Sequence, residues 1–408
     1  MCLSAPDAPA AACADPREAG AGSTSNDPAL SSVPDAGAVS SDAPLPPPKP
    51  ATIALRGKAN DAVDAELTAG DAAFEANDIP GAKRHYEAAK KLDAKHAGPA
   101  VGLARVRVAQ TGLSYDVGSG KGNAEITLAI KELRAAVLQD DGFGPAHAEL
   151  GRTLLLAGDP DGALVALRRA SALLPDDAEV HSALGGALLS VGKKDESLAP
   201  LQRAAALDPG RAERHGNLGT VLLLMGRVSD AVKEYELQVR IAASDARAHS
   251  DLGAALLALP DVPRGMRELE RAVQLDATHA SYHTNLGYAY QLSGRRPDAI
   301  REYREALRKD DKFVSALIGL ATALAQDPKT RAEARAALEK ARTIDPKDPR
   351  VGCESRRARR SGEEEALSVQ ATARTLTEVV KSKATTAASL VGGMRAAFNR
   401  LTLRARFF

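Results

Sequence analysis

The sequence predicts an all-α superhelical solenoid made of about eight helix–turn–helix repeats. A Leu-Gly pair recurs every 34 residues, four times in succession, and a fixed interval of this size indicates an array in which each repeat stacks on the next. Aromatic residues make up only 3% of the 408 residues and Trp is absent, so the core must rely on Leu, Val and Ala, which suits closely spaced helices. The pairs are Leu150-Gly151, Leu184-Gly185, Leu218-Gly219, Leu252-Gly253 and Leu286-Gly287.

Three further columns of residues keep the phase of these pairs and predict the second helix of each repeat. Twelve places after each glycine stands a small residue, sixteen places after it stands Leu or Tyr, and nineteen places after it stands Ala, except for the polar Gln238. The small residues are Ala163, Ser197, Ala231, Gly265 and Ala299. The Leu and Tyr column is Leu167, Leu201, Tyr235, Leu269 and Tyr303, and the Ala column is Ala170, Ala204, Ala272 and Ala306.

With these residues the sequence resembles the tetratricopeptide-repeat family over roughly residues 63–348. The resemblance implies a right-handed superhelix of antiparallel helix pairs, in which a small residue in the eighth place lets helix A approach helix B closely. The phase extends outward to a first repeat with Gly70 in that place and to an eighth repeat with Ala321. The second repeat has Ala104 there and an insertion at about residues 111–123, whose Gly, Ser and Asn predict a loop.

The resemblance also implies that the concave surface, lined by the A helices, binds a peptide or a helical segment of another protein. Family members present the second, fifth, ninth, twelfth and thirteenth places of each repeat to this groove. In the best-matching repeats these places hold small, apolar and weakly charged residues of both signs, which suits a segment with apolar anchors. The predicted groove residues are Arg152, Leu155, Leu156, Glu179, Ser182, Ser190, Glu213, Thr220, Leu224, Arg247, Ser250, Leu257, Tyr288, Gln291 and Leu292.

Two specialised binding modes of the family are not expected. Glycosyltransferase members carry an unbroken ladder of Asn in the sixth place, but here Asn217 and Asn285 alternate with Glu149, Ala183 and Asp251. Chaperone-binding members carry Lys in the fifth place. The fifth places here hold Leu67, Ala148, Ser182, Gly216, Ser250 and Thr284.

The sequence predicts no catalytic, cofactor or metal site, so the chain is expected not to be an enzyme. Its histidine column is His147, His181, His215, His249 and His283. Equivalent helices of stacked repeats lie about 10 Å apart, whereas one metal needs its imidazoles at about 2 Å, so these side chains are expected to pack. Residues 118–122 lack the first Gly and the Ser or Thr of a phosphate-binding loop. No hydrolase or metalloprotease motif is present.

Charge and composition narrow the class of partner. The net charge is +1 and aromatic residues that could stack on bases are few, so no nucleic acid is expected. No small-molecule substrate is expected either. The partners are expected to be other proteins. A regulatory or substrate-presenting subunit of a separate enzyme is an alternative within the same fold.

The segments on either side of the repeats differ in composition from the predicted solenoid at 57–350. Residues 1–56 are rich in Ala, Pro, Ser and Asp and are expected to be a disordered leader. Residues 351–408 are expected to form a polar linker and a basic amphipathic helical tail. Three destinations are open for the tail: the end of the last repeat, the concave groove, or an anionic membrane surface. Its apolar residues are Leu376, Val380, Leu390, Met394, Phe398 and Leu401.

Two locations are compatible with the leader. No basic region followed by an apolar region is present in it, which predicts a cytoplasmic protein. However, Cys13 follows three alanines and precedes an Ala/Pro/Asp/Ser spacer, which is similar to the start of a mature bacterial lipoprotein. The alternative is therefore a lipoprotein of the bacterial cell envelope, acting in the assembly of a secretion or pilus-type complex. Sequence upstream of Met1 would decide between the two.

Overall fold

In the part of the chain that the structure describes, sixteen α-helices pack in eight antiparallel pairs, without a β-strand. The computed structural model describes residues 46, 52–57, 61–113, 117–259, 261–325 and 327–348. Each pair is one repeat, with helix A first. The pairs are α1 (Ala62–Glu75) and α2 (Ile79–Leu92), α3 (Ala97–Gln110) and α4 (Ala124–Gln139), α5 (Gly144–Ala157) and α6 (Pro160–Leu173), α7 (Ala178–Ser190) and α8 (Lys194–Leu207), α9 (Ala212–Leu224) and α10 (Val228–Ile241), α11 (Ala246–Ala258) and α12 (Val262–Leu275), α13 (Ala280–Leu292) and α14 (Arg296–Lys309), and α15 (Val314–Leu324) and α16 (Arg331–Ile344).

Polar residues begin many of these helices and glycines end several of them. The carboxylate of Asp177 accepts hydrogen bonds from the backbone N–H groups of Glu179 and Val180, and Asp61 and Asn123 cap α1 and α4 in the same way. Between helix A and helix B the chain turns through a glycine with positive φ, a conformation that other residues adopt at a cost. These glycines are Gly158, Gly192, Gly226 and Gly294, with φ between 76° and 80°.

The glycine in the eighth place is a packing feature, as the sequence predicts. A Cβ atom added at Gly219 would lie 2.9 Å from a ring carbon of Tyr235, and one added at Gly151 would lie 2.5 Å from Leu167. Carbon atoms in contact lie about 3.5–4.0 Å apart, so neither Cβ could be accommodated without a shift. The absent side chain therefore lets helix A lie directly on the Leu or Tyr of its own helix B.

The stacking of the pairs makes one surface of the solenoid concave. Each helix B packs on the helix A that follows it, from α2 on α3 to α14 on α15. Each helix A also contacts the next helix A, whereas no comparable contact joins consecutive B helices in the described part of the chain. The A helices therefore lie closer together than the B helices, which places them on the inner side of the curve.

Gln238, the polar residue in the Ala column, fits because the residue facing it is glycine. Gln238 is buried, and its terminal amide lies 2.9 Å from the position that a Cβ atom of Gly216 would occupy. The space left by the absent side chain of Gly216 is thus filled by the longer side chain of Gln238. The equivalent pairs in the neighbouring repeats are Ser182 with Ala204 and Ser250 with Ala272.

The last described repeat ends on a more polar surface than the repeat before it. Ile300 and Leu307 of α14 pack against the buried cluster that includes α15 and α16. The equivalent places in α16 hold Arg335 and Arg342. Charged residues here suit the end of an array, because terminal repeats need a polar outer face. The predicted tail, residues 351–408, lies outside the described residues.

Gly219→Leu should destabilise the protein. The leucine would force the two helices of repeat 5 apart, and overpacking of this kind costs about 1–3 kcal/mol or more. Denaturant-induced unfolding measures this loss. Lys233→Leu, at a side chain that is 74% exposed on α10, is the control for adding a leucine to the same repeat, and its midpoint should change little. An unchanged midpoint for Gly219→Leu would contradict the packing role.

Gly216→Ala and Gln238→Ala should be energetically coupled, and the double variant should be more stable than the sum of the two single changes predicts. The first change crowds the Gln238 amide, and the second leaves space beside Gly216. Together they restore two small facing residues. A double-mutant cycle on the free energy of unfolding should give a favourable coupling of about 0.5–3 kcal/mol. Strictly additive effects would show that the two residues do not compensate each other.

Candidate functional site

An extended segment of the chain, residues 52–57 (the docked segment), lies against the first repeats. Ile53 and Leu55 are buried, with 1% and 0% of their surface exposed, whereas Ala54 and Arg56 are exposed. This alternation is the period of an extended chain, whose successive side chains point to opposite sides. The docked segment therefore presents one apolar edge to the solenoid and its other edge to solvent.

The centre of the docked segment is held through its backbone. The N–H group of Leu55 donates a hydrogen bond to Asp71 Oδ2 at 2.8 Å, and the carbonyl of Ile53 accepts one from Arg105 at 2.9 Å. The buried side chains sit in two different clusters. Leu55 belongs to the apolar cluster of the first repeats, and Ile53 belongs to a small cluster that contains Ala148 of α5. The docked segment thus spans the A helices of three repeats.

Both ends of the docked segment are held by acidic side chains of α1. The N–H group of Thr52 donates to Glu75 at 3.3 Å, near the C-terminal end of α1. The N–H group of Gly57 donates to Asp64, in the first turn of α1. Because the partner residues move towards the start of α1 as the segment advances, the segment runs antiparallel to this helix.

Arg105 is the charged centre of this part of the groove. Its side chain is 4% exposed, and it donates to Asp71 Oδ1 at 2.9 Å and to Glu149 Oε1 at 3.0 and 2.7 Å. Its guanidinium lies 5.5 Å from the centre of the Phe74 ring. The hydroxyl of Tyr86 donates to Asp71 at 2.8 Å. A buried charge needs this kind of pairing, since an uncompensated one is strongly destabilising.

Burial and charge act on the two carboxyl groups in opposite directions. Burial raises the pKa of Asp71, although the Arg105 charge and the N–H of Leu55 work against the rise. Burial also opposes ionisation of Glu149, but the charges of Arg105 and Arg152 outweigh it, so the pKa of Glu149 is lowered. Arg105 donates to the docked segment and Asp71 accepts from it. These two side chains are themselves joined as a guanidinium–carboxylate pair.

The residues of α1 that hold the docked segment occupy groove places of the first repeat. Counted from Gly70 in the eighth place, Asp64, Asp71 and Glu75 are in the second, ninth and thirteenth. The sequence prediction missed them because it assigned groove residues only from the third repeat onward. The sequence signal that could have revealed them is the presence of three acidic residues on one face of α1.

The position of the docked segment differs from the predicted boundary of the leader at residue 56. Residues 52–56 pack on the solenoid because Ile53 and Leu55 supply apolar surface that the Pro-rich stretch before them lacks. The alternation of aliphatic and other residues directly before α1 was the signal for this contact. Apart from residue 46, the leader before residue 52 lies outside the described residues.

The predicted groove residues divide into two sets in the structure. One set is partly or fully exposed along the A helices and has surface that a partner can contact. The other set is buried against neighbouring helices. The exposed set is Arg152, Glu179, Ser190, Glu213, Leu224, Arg247, Tyr288, Gln291 and Leu292. The buried set is Leu155, Leu156, Ser182, Thr220, Ser250 and Leu257.

The asparagines in the sixth place link adjacent A helices. The side-chain amide of Asn217 donates to the hydroxyl of Ser182 in the preceding repeat at 3.4 Å, and Asn285 donates to Ser250 at 3.2 Å. Two of the predicted groove serines are therefore hydrogen-bonded inside the solenoid. The broken asparagine ladder has a structural role in these two repeats.

The histidine column is hydrogen-bonded within the solenoid. The Nε2 atom of every member lies 2.8–3.2 Å from the backbone carbonyl oxygen six residues earlier. In repeats 5–7 the Nδ1 atom also lies 2.7–2.9 Å from a carboxylate of helix B, and these pairs are His215 with Glu234, His249 with Glu268 and His283 with Glu302. Repeat 1 inverts the pair, with Glu66 on α1 and His85 on α2 at 2.8 Å.

The insertion in repeat 2 packs on the end of α5. The N–H groups of Gly118 and Gly120 donate to the carbonyl oxygens of Leu155 and Leu156, each at 2.9 Å. The last carbonyls of a helix lack partners within the helix, so these bonds complete the end of α5. The two amides are therefore engaged with protein and do not point at a phosphate.

The described residues contain neither a metal cluster nor a membrane-crossing helix. No three side chains of His, Cys, Asp or Glu come together there in a way that could hold a metal ion. None of the sixteen helices combines the length and the apolar composition that a bilayer crossing requires.

Known proteins are similar to this chain in two ways. Family models match parts of the repeat region by sequence, and solved structures resemble the solenoid. Models described as tetratricopeptide repeat match residues 124–187 and 284–349. No curated protein matches the chain. Among solved structures, the APC/C hetero-tetramer Cut9-Hcn1 is similar with a TM-score of 0.53 at 17% identity, over 65% of this chain and 50% of that chain. At this identity the match supports the fold alone.

Two shorter proteins overlap with part of the chain. MamA from Desulfovibrio magneticus RS-1 is 23% identical with a TM-score of 0.39, over 41% of this chain and 95% of that chain. YrrB, described as a TPR protein with an unusual peptide-binding site, is 20% identical with a TM-score of 0.36, over 47% of this chain and 97% of that chain. At these TM-scores neither likeness supports an inference about this chain.

His283 should stabilise the protein more at low pH than at high pH. Its hydrogen bond to Glu302 raises the pKa of His283, although burial works against the rise. This stabilisation is complete below the pKa that His283 has in the unfolded chain. It disappears as the pH rises through the higher pKa of His283 in the folded protein. The free energy of unfolding lost in His283→Gln should therefore shrink from about pH 6 to about pH 9. A loss that grows with pH would contradict the assignment.

Proposed function

Because this chain is a tetratricopeptide-repeat protein, we propose that it is a protein–protein interaction scaffold whose concave groove binds a peptide or helical segment of another protein. One observation carries the proposal. The docked segment, residues 52–57, is an extended peptide held on the A helices by backbone hydrogen bonds and two apolar side chains. The proposed role is binding without catalysis.

The groove of repeats 3–7 is the proposed contact surface for the partner. It includes charged side chains of both signs, among them Arg152, Glu213 and Arg247, and the partly exposed aliphatic residues Leu224 and Leu292. A mixed surface of this kind favours a partner segment with apolar anchors flanked by polar residues. Charge complementarity then sets orientation more than affinity.

The convex surface offers the principal competing site. Leu138 on α4 and Val165 on α6 are 88% and 75% exposed, and both stand on B helices. Exposed aliphatic residues of this kind mark interaction sites only when they form a larger patch. Residues on the two faces can be exchanged for serine in matched pairs, so an experiment can separate the surfaces.

Peptides selected from a random displayed library with the full-length protein should bind in the groove. Leu224→Ser and Leu292→Ser should weaken the selected peptides by at least about tenfold, which corresponds to about 1.4 kcal/mol, because each removes an apolar contact. Isothermal titration calorimetry with the purified variants measures the change. Circular dichroism confirms that each variant keeps its helices.

Leu138→Ser and Val165→Ser are the matched controls, since they make the same kind of change on the convex face. Binding should be unchanged in both. If the two convex variants lose affinity and the two groove variants keep it, the partner binds the convex surface and the proposed function is wrong about the site. A library that yields no binder at all would count against a peptide-binding scaffold.

A further inference from the structure

The docked segment is held in a way that does not depend on most of its own side chains. The groove contacts its backbone at residues 52, 53, 55 and 57, and every peptide has these groups. Only Ile53 and Leu55 bury apolar side chains, while Ala54 and Arg56 face solvent. The main requirement on sequence is therefore two aliphatic residues separated by one residue, and the hydroxyl of Thr52 adds one side-chain hydrogen bond, to Glu75. Recognition of this form, with backbone bonds and alternate side-chain pockets, is typical of extended peptides.

The groove beneath the docked segment is built independently of it. Arg105 bonds Asp71 and Glu149, which stand on α1 and α5, so three neighbouring A helices hold one another in place. The segment adds one hydrogen bond to Asp71 and one to Arg105. The charged side chains are thus paired with each other as well as with the segment. Such pairing favours a preorganised site, which binds with less loss of entropy.

The docked segment borders a cleft at Thr52. A small cleft next to Thr52 is lined by Phe74 of α1, Val108 of α3, and Arg152 and Leu156 of α5. These side chains combine an aromatic ring, two aliphatic groups and a guanidinium. A peptide residue in the place of Thr52 would therefore contact this cleft.

We propose that the groove of repeats 1–3 is a binding site for an extended peptide with two aliphatic side chains separated by one residue, and that a partner segment with this pattern displaces the docked segment. The inference rests on the proposed function, because it takes the groove to receive segments of other proteins. It adds two points to that function. Repeats 1–3 recognise the pattern of two aliphatic side chains, and the docked segment competes for the same site. The competitor is strong because only three residues, 58–60, join it to the cap of α1. A short tether gives an effective concentration on the order of millimolar or higher.

The test uses the full-length protein with Ile53→Asp and Leu55→Asp, which removes both apolar anchors of the docked segment and leaves the groove unchanged. The probe is a fluorescent synthetic peptide with the sequence of residues 50–58. Fluorescence anisotropy should show saturable binding of one peptide per chain. The wild-type protein should bind the same peptide at least about tenfold more weakly, because the tethered segment competes with it. Circular dichroism establishes that the variant is folded.

The matched control is the same peptide with aspartate in place of both aliphatic residues. It should bind neither protein, and because the change lies in the peptide, it cannot affect folding. A second measurement uses only the wild-type protein. Excess aliphatic peptide should accelerate hydrogen exchange at the Leu55 amide, which is protected by its bond to Asp71. The aspartate peptide should leave that exchange rate unchanged.

Two outcomes would overturn the inference. One is a folded variant that binds neither peptide, together with unchanged Leu55 exchange in the wild type. The other is equal binding of the aliphatic and aspartate peptides. In the first case residues 52–57 are a permanent part of the fold, and in the second the groove does not recognise the aliphatic pattern. The proposed function would still stand or fall on Leu224→Ser and Leu292→Ser, since these residues lie in repeats 5 and 7.

Discussion

The close approach of the two helices in each repeat is the contact on which the rest of the structure depends. Glycine in the eighth place brings helix A onto the Leu or Tyr of helix B. At this distance the hydroxyl of Tyr235 reaches Thr220, and the hydroxyl of Tyr303 reaches Gln291, both on helix A. Because each repeat packs in this way, successive A helices contact one another and line one groove.

Several polar groups of this solenoid are buried where a neighbouring repeat supplies a partner. Arg105 lies between the carboxylates of Asp71 and Glu149, which belong to the repeats before and after it. Asn217 reaches back to Ser182 in the same manner. A buried charge or amide without a partner is costly, so these links favour one alignment of the A helices. The groove consequently has a fixed floor, against which a peptide backbone can be hydrogen-bonded.

Two departures from the repeat pattern are pairs of residues that compensate each other. Gly216 makes room for Gln238, and the exchange of Glu66 and His85 keeps an acid–imidazole contact in repeat 1 while reversing its direction. In each pair the two residues still face each other although their types change. The fold therefore tolerates substitutions that look unfavourable when one column is considered alone, and the same tolerance lets the groove surface vary from repeat to repeat.

The sequence by itself determined the repeat and its phase, because the 34-residue interval and the small, Leu/Tyr and Ala columns arise within one helix pair. The resemblance to the family implied which helix lines the groove. Only the tertiary structure decided which groove residues are exposed. Ser182 and Thr220 hold groove places but are buried, Ser182 beside Asn217 of the next repeat and Thr220 beside Tyr235 of its own helix B. The docking of residues 52–57 was likewise decided only by the tertiary structure. Its bonds join residues 16 and 52 positions apart in the chain, and no local period encodes a contact between an extended segment and a curved stack of helices.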